Sequence, residues 1–135
     1  MENTDINILL LSSLLFLTNA GTAFHKEYYV FGVLFLCLTI SSLLYHSNRN
    51  VYTSILDKGC IALVVSYGAY LLYIKSTSEN QLQQLGVFAA YTAVLFLFFY
   101  GYCEDNYCFH PEWGDPYHCL LHLISSIGHH WIIFL

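Results

Sequence analysis

The segment Pro116-Tyr-His-Cys-Leu-Leu-His-Leu-Ile-Ser-Ser-Ile-Gly-His-His-Trp131 lies in the last apolar stretch of the chain and sets His118 and His122 four residues apart. In an α-helix this spacing places both imidazole rings on one face, about 6 Å apart along the axis. Two such histidines can bind one metal ion, as they do in other helical zinc motifs. The pair indicates a metal site only where the chain supplies a third ligand at the same depth.

The composition of the 135-residue chain indicates an integral membrane protein. Hydrophobic residues make up 57% of the chain and charged residues only 10%, whereas soluble proteins carry about 25% charged residues. The mean hydropathy of +0.55 agrees with this interpretation. The net charge of −5, with four scattered Lys and Arg residues, argues against a nucleic acid partner, because phosphate binding needs clustered basic residues.

Five apolar stretches approach the length of about 20 residues that a helix needs to cross a bilayer. They run approximately over residues 6–24, 28–46, 52–74, 85–102 and 117–135, with polar or charged residues between them. We therefore predict an all-α fold, in which residues 1–135 form a single integral membrane domain of five transmembrane helices. The compartment of this multi-pass protein stays open.

Five crossings would place four chemically distinctive residues near one membrane surface. We name side A the membrane surface that is shared by the N-terminus, the ends of the second and fourth helices and the starts of the third and fifth. His46 ends the second predicted helix and Asp57 lies just inside the third. His118 opens the fifth, with His122 one turn deeper. All four should lie within about two helical turns of side A. The basic residues are divided equally between the two sides, so the positive-inside rule leaves the orientation open.

Asp57, His46 and Ser42 each have a functional and a structural interpretation. An intramembrane carboxylate such as Asp57 is costly enough to indicate a functional site, although an ion pair with Lys58 is the structural alternative. His46 could equally be an interfacial histidine at a helix end. Ser42 lies four residues before His46, on the same helical face. A membrane serine usually bonds a carbonyl of its own helix, as we expect for Ser41, but beside a metal ligand it can support the site.

These residues together resemble the motif set of the CREST superfamily, which includes alkaline ceramidases, progestin/adipoQ receptors and myomaker-like membrane proteins. The matching motifs are Ser42-x-x-x-His46, Asp57 and His118-x-x-x-His122. The resemblance implies a Zn²⁺ ion held by His46, His118 and His122 together with a water. It also implies that Asp57 orients or deprotonates this water and that Ser42 supports the site.

The chain departs from the family pattern in its size. The family typically has seven helices, with the histidine pair on the last, whereas this chain has room for five. Two helices, an even number of membrane crossings, are missing between Asp57 and His118. His118 therefore still lies on the same side of the membrane as His46. Because the missing helices would help to wall the acyl-chain pocket, we expect a groove that is open to lipid or closed by a second copy of the chain.

The predicted function is zinc-dependent intramembrane hydrolysis of an amide or ester bond in a lipid-like substrate, similar to the ceramidase reaction. Three neutral histidines leave a zinc coordination position open, as in catalytic sites, and a nearby carboxylate can take a proton from water. The alternative is a non-enzymatic, receptor-like or scaffold protein in which a structural zinc joins the helices. Haem is disfavoured, because its axial ligands approach from opposite faces whereas His118 and His122 share one. The expected partners are a lipid or acyl-amide substrate, the bilayer and, in a homo-oligomer, other copies of the chain.

Two further groups of residues leave alternatives open. His129 lies seven residues after His122, on nearly the same face and about 10 Å farther along the helix, where it either lines a polar cavity or packs against another helix. His110 lies in an acidic loop, for which a solvated loop is favoured over a metal-binding lid. Cys103 and Cys108 flank this loop and could pair only in an oxidising compartment.

Overall fold

The computed structural model describes residues 8–103 and 114–135, with side chains over 8–99 and 114–135. These residues contain no strand and six α-helices, together with a short 3₁₀-helix, Ser78–Asn80. The helices are α1 (Ile8–Ser13), α2 (Leu15–His25), α3 (Tyr29–Ser47), α4 (Val51–Lys75), α5 (Gln81–Cys103) and α6 (Gly114–Phe134). The predicted all-α bundle is confirmed.

The helices α1 and α2 form one apolar segment that is interrupted at Leu14. The amide of Leu14 bonds the carbonyl of Leu11, three residues back, at 3.1 Å. The hydroxyls of Ser12 and Ser13 both lie within hydrogen-bond distance of the carbonyl of Leu9, at 3.1 and 2.7 Å. Serines that bond back to the preceding turn bend membrane helices. We therefore attribute the interruption to this serine pair, whose hydroxyls also contact α6 and α3.

Short polar connections separate α3, α4 and α5 and set where these helices begin. The side chain of Asn50 accepts the amide of Thr53 at 3.0 Å, while the Thr53 hydroxyl accepts the amide of Asn50 at 3.2 Å. This reciprocal capping box satisfies two backbone donors that have no partner within the helix, and α4 begins at Val51. The 3₁₀-helix leads directly into α5, which therefore begins at Gln81 rather than near Leu85 as the hydropathy predicted.

Helix α6 begins at Gly114, ahead of the apolar stretch that was predicted from residue 117. Asp115 lies in its first turn, where a negative charge is favourable at the positive end of the helix dipole. Pro116 follows, and a first-turn proline is tolerated because its missing amide hydrogen would have no intrahelical acceptor. The carboxylate of Asp115 also lies 3.6 Å from the guanidinium of Arg49, in the loop after α3.

Helix α6 is the central helix of the bundle. It packs against α1, α2, α4 and α5, while α3 packs against α1, α2 and α4. The main core includes Phe31 and Phe35 of α3, with side chains of α2, α4 and the C-terminal end of α6 around them. Between described residues, α4 and α5 make at most marginal contact with each other.

Among the described residues, four segments are long and apolar enough to cross a membrane: Ile8–His25, Tyr29–Ser47, Val51–Lys75 and Ser78–Phe99. Helix α6 has sufficient length but contains four histidines, which lower its mean hydropathy. His122 and His129 are buried against the neighbouring helices, and the exposed side chains of α6 include Leu123, Ile127 and Phe134. The outer surface of the bundle carries exposed large hydrophobic side chains, among them Leu11, Val33, Leu63 and Phe96.

Replacing Gly86 by alanine should destabilise the packing of α5 on α6. A Cβ atom at Gly86 would lie 2.5 Å from Cζ3 of Trp131, and overpacking of this kind costs about 1–3 kcal/mol. At Gly21 an added Cβ meets nothing within 4 Å, so Gly21→Ala should gain up to about 1 kcal/mol from helix propensity. Thermal unfolding of both variants in detergent measures the difference, and equal stabilities would contradict this helix contact.

Candidate metal centre

Three histidines meet where α3 ends and α6 begins. One ring nitrogen from each of His46, His118 and His122 lies within 4.8 Å of the other two. The ring centroids are 4.9 Å apart for His46 and His118, 5.5 Å for His46 and His122, and 4.7 Å for His118 and His122. His46 and His122 are buried and His118 is half-buried. The structure thus brings together the three residues that the sequence suggested as ligands.

Helix α1 connects the two helices that carry these histidines. It packs against both α3 and α6, and each of its serines bonds one of them. The Ser12 hydroxyl lies 2.8 Å from Nδ1 of His122, and the Ser13 hydroxyl lies 2.9 Å from that of Ser42. The sequence analysis missed both α1 residues. The available signal was a pair of adjacent serines within an apolar stretch that shares side A with the histidines.

The Ser12 contact bears on which nitrogen of His122 is available to a metal. A hydroxyl has one hydrogen, and Ser12 lies within hydrogen-bond distance of both the Leu9 carbonyl, at 3.1 Å, and Nδ1 of His122. When that hydrogen goes to Leu9, the oxygen of Ser12 accepts a hydrogen bond from Nδ1 of His122. This tautomer leaves Nε2 of His122 unprotonated and able to bind a metal. Metal-binding histidines almost always donate their other ring N–H to such a partner.

Asp57 is bonded by Ser41 rather than by Ser42. The Ser41 hydroxyl donates to Oδ1 of Asp57 at 3.2 Å, and it also lies 3.0 Å from the carbonyl of Leu38. The one hydrogen of this hydroxyl is shared between the carbonyl of its own helix, as expected, and the carboxylate on α4. Ser42 bonds Ser13 and lines the cavity that Asp57 and His122 also line, and its support of the site stays a prediction. Asp57 is only 7% exposed, so this hydrogen bond is made inside the bundle.

Two histidines of the cluster, His118 and His122, line a partly open cavity of about 450 Å³ between α4, α5 and α6. Ser42, Asp57 and Lys58 line it as well. The rest of the wall is largely apolar and includes Phe16, Leu38, Ile61, Val65, Val94 and Leu121. Helices α4 and α5 both line this cavity, and among the described residues they make at most marginal contact with each other.

The donor set fits a zinc ion. Zn–N bonds of about 2.0–2.1 Å place two ligand nitrogens about 3.4 Å apart in a tetrahedral site, so movements of about an ångström would suffice. Three imidazoles suit Zn²⁺ better than Mg²⁺ or Ca²⁺, which prefer oxygen ligands. In the part of the chain that the structure describes, this is the one group of three or more His, Cys, Asp or Glu residues that could hold a metal.

The acidic loop before α6 lies outside the described residues. His110 and Cys108 belong to it, and the side chain of Cys103 is likewise not described. The metal-binding lid, the solvated loop and the cysteine pair therefore stay predictions.

Comparison of the chain with protein-family models, with curated proteins and with solved structures finds no match. The resemblance to the CREST superfamily accordingly rests on the motif residues themselves, and membership stays a prediction.

The zinc content of the purified protein tests the three-histidine site. We expect about one zinc per chain in the wild type and its loss in His118→Ala, because two remaining imidazoles would bind the ion much more weakly. The matched control is His25→Ala, which removes an exposed histidine at the end of α2 and should keep its zinc. Elemental mass spectrometry gives the stoichiometry. Unchanged zinc in His118→Ala, or none in wild-type protein prepared without chelators, would contradict the site.

Ser12→Ala should weaken zinc binding by about 10–100-fold, as removal of a ligand's hydrogen-bond partner typically does. Competition with a fluorescent zinc chelator measures the affinity. Ser47→Ala is the control, since the hydroxyl of Ser47 is exposed and bonds only its own helix, at the carbonyl of Leu43. If Ser12→Ala binds zinc as tightly as Ser47→Ala, Ser12 does not orient a ligand.

Proposed function

We propose that the protein is a multi-pass integral membrane hydrolase that uses zinc to cleave an amide or ester bond of a lipid-like substrate. The observation that carries this proposal is that Asp57 and two histidines of the three-histidine cluster, His118 and His122, line a largely apolar cavity of about 450 Å³. A metal that serves only to hold helices together has a closed coordination shell. It would need neither a cavity nor a buried carboxylate beside it.

The location of the protein in a membrane is supported by the surface of the bundle. Four segments have the length and hydropathy of membrane spans, and large hydrophobic side chains are exposed on all of them. In water such a surface would be an aggregation liability, whereas in a bilayer it faces lipid tails. On helix α6 the face that holds His122 lies inside the bundle, while Leu123, Ile127 and Phe134 are exposed like the large hydrophobic side chains of the other helices.

The chemistry requires an electrophile and a proton acceptor. A Zn²⁺ ion held by His46, His118 and His122 would polarise a carbonyl oxygen and acidify a water molecule. Asp57 is suited to take a proton from this water, because Ser41 bonds Oδ1 and no described residue donates a hydrogen bond to Oδ2. Hydroxide adds to the carbonyl carbon, and the C–N or C–O bond then breaks. The leaving nitrogen or oxygen receives the proton from Asp57, giving a carboxylic acid and an amine or alcohol.

The substrate class follows from the walls of the cavity. Apolar side chains from α4, α5 and α6 line most of it, and burial of an alkyl chain contributes about 0.8 kcal/mol per CH₂ group. A lipid could enter from the bilayer through the gap between α4 and α5. The amide or ester linkage would then lie at the polar end, beside Asp57 and His122.

A second function, a structural zinc that joins helices, is favoured by a different observation. Helices α3 and α6 do not form one of the closely packed pairs of the described bundle, although His46 is on one and His118 and His122 are on the other. A metal bound by all three would connect them directly, in a receptor-like or scaffold protein.

Asp57→Asn should lower turnover by about 10²–10⁴-fold, because an amide cannot accept the proton that a general base removes. Zinc content should stay at the wild-type value, which separates a catalytic defect from a loss of metal. Turnover is measured on ceramides, other acyl amides and phospholipids. Glu79→Gln, which changes an exposed carboxylate next to α5, is the matched control and should keep full turnover. Full activity of Asp57→Asn would refute the proposed role.

Removal of zinc by a chelator distinguishes the two functions. The hydrolase loses turnover and regains it when zinc is returned, with the bundle still folded. The structural alternative predicts a large drop in the thermal unfolding temperature and no turnover on any of these lipids, with or without zinc.

A further inference from the structure

A third histidine of α6, His129, lines the cavity at a distance from the metal cluster. The ring of His129 is 8% exposed and lines the cavity wall. Phe31 and Phe35 contact it edge-on, with ring centroids 5.7 and 5.2 Å away. A Cβ added at Gly68 would lie 3.4 Å from its Cε1 atom. These contacts from α3 and α4 hold the ring in place. The sequence left open whether His129 lines a cavity or packs against another helix, and it does both.

The ring of His129 makes no hydrogen bond to any described residue. The neighbouring His130 is different, since its Nδ1 lies 2.8 Å from the side-chain amide of Asn19 and 2.8 Å from the carbonyl of Ser126. Nearly all buried polar groups have a hydrogen-bond partner, and an imidazole always has at least one N–H donor to satisfy. For His129, a water or a ligand in the cavity can supply this partner.

The separation of the two polar ends sets the length of a matching ligand. His122 and His129 are seven residues apart on α6, which corresponds to about 10 Å along the helix axis. Between them, the cavity wall on α6 is apolar except for Ser125. Three backbone bonds span about 3.3–3.6 Å, so an extended chain advances about 1.2 Å per bond and covers this distance in about eight bonds.

We propose that His129 is a specificity-determining residue that binds a second polar group on the chain of the ligand. The ligand class is an acyl chain with a hydroxyl group about eight bonds from the carbonyl carbon of its amide or ester linkage. An all-hydrocarbon chain would leave the buried imidazole without a partner, whereas a hydroxyl can both donate to it and accept from it. The inference rests on the proposed function only for placing the linkage at the histidine cluster.

The test compares the binding of two fluorescent acyl amides to the full chain in nanodiscs. Both probes have the same headgroup and chain length, and they differ only in a terminal hydroxyl or a terminal methyl group about eight bonds from the carbonyl. Fluorescence anisotropy gives a dissociation constant for each probe without requiring turnover. We expect the wild type to bind the hydroxyl probe about tenfold more tightly than the methyl probe.

Three variants test whether the preference for the hydroxyl probe depends on the side chain of His129. His129→Phe should reduce the affinity ratio to about one or invert it, because the pocket becomes apolar. His129→Gln keeps hydrogen-bonding capacity and should retain part of the preference, which guards against a result caused by misfolding. His130→Gln is the matched control on the same helix. Its ring bonds Asn19 and does not line the cavity. The variant should therefore be less stable than the wild type, but its ratio of affinities for the two probes should be that of the wild type.

Equal affinities in the wild type, an unchanged ratio in His129→Phe, or no binding of either probe would overturn the inference. Failure of the proposed function gives a different result. A hydroxyl preference without hydrolysis of any lipid supports the role of His129 and counts against the hydrolase. Zinc-dependent turnover without a hydroxyl preference supports the hydrolase and counts against the role of His129.

Discussion

The polar side chains of α6 must find their hydrogen-bond partners inside an apolar bundle, and the placement of the other helices depends on this requirement. The Ser126 hydroxyl donates to Oδ1 of Asn19 at 2.7 Å, and the Asn19 amide donates back to the Ser126 carbonyl at 2.9 Å. One turn earlier, His122 bonds Ser12. Because a buried polar group without a partner costs about 1–3 kcal/mol, these bonds determine how α6 is rotated against α1 and α2.

The interruption between α1 and α2 has a role in this arrangement. Ser12 and Ser13 bond the carbonyl of Leu9 within their own helix and still reach His122 and Ser42 on two different neighbours. Helix α1 thereby bonds both α6 and α3, whose direct contacts with each other are made by side chains such as Phe35 and His129. The histidine cluster forms where these two helices are held by α1, with His46 in the last turn of α3.

The histidine cluster lies beside a cavity, which a structural zinc that only joins helices would not need. One end carries Asp57 and the histidine pair, the middle is apolar, and the far end carries His129 between Phe31 and Phe35. Helices α4 and α5 line it while making at most marginal contact among the described residues. A groove partly open to lipid, as expected for a chain with fewer helices than the proteins it resembles, is compatible with this geometry. Closure by a second copy stays a prediction.

The sequence by itself determined the helical class, the apolar segments and the pairing of His118 with His122, because hydropathy and a four-residue spacing act within one helix. Counting crossings also predicted that His46 and Asp57 would lie near that pair. Only the tertiary structure decided that Asp57 is bonded by Ser41 rather than by Ser42. Adjacent residues differ by about 100° around a helix, so the choice depends on how α3 is rotated against α4, which packing between helices sets. The Ser12 contact to His122 joins residues 110 positions apart, and no local pattern predicts it.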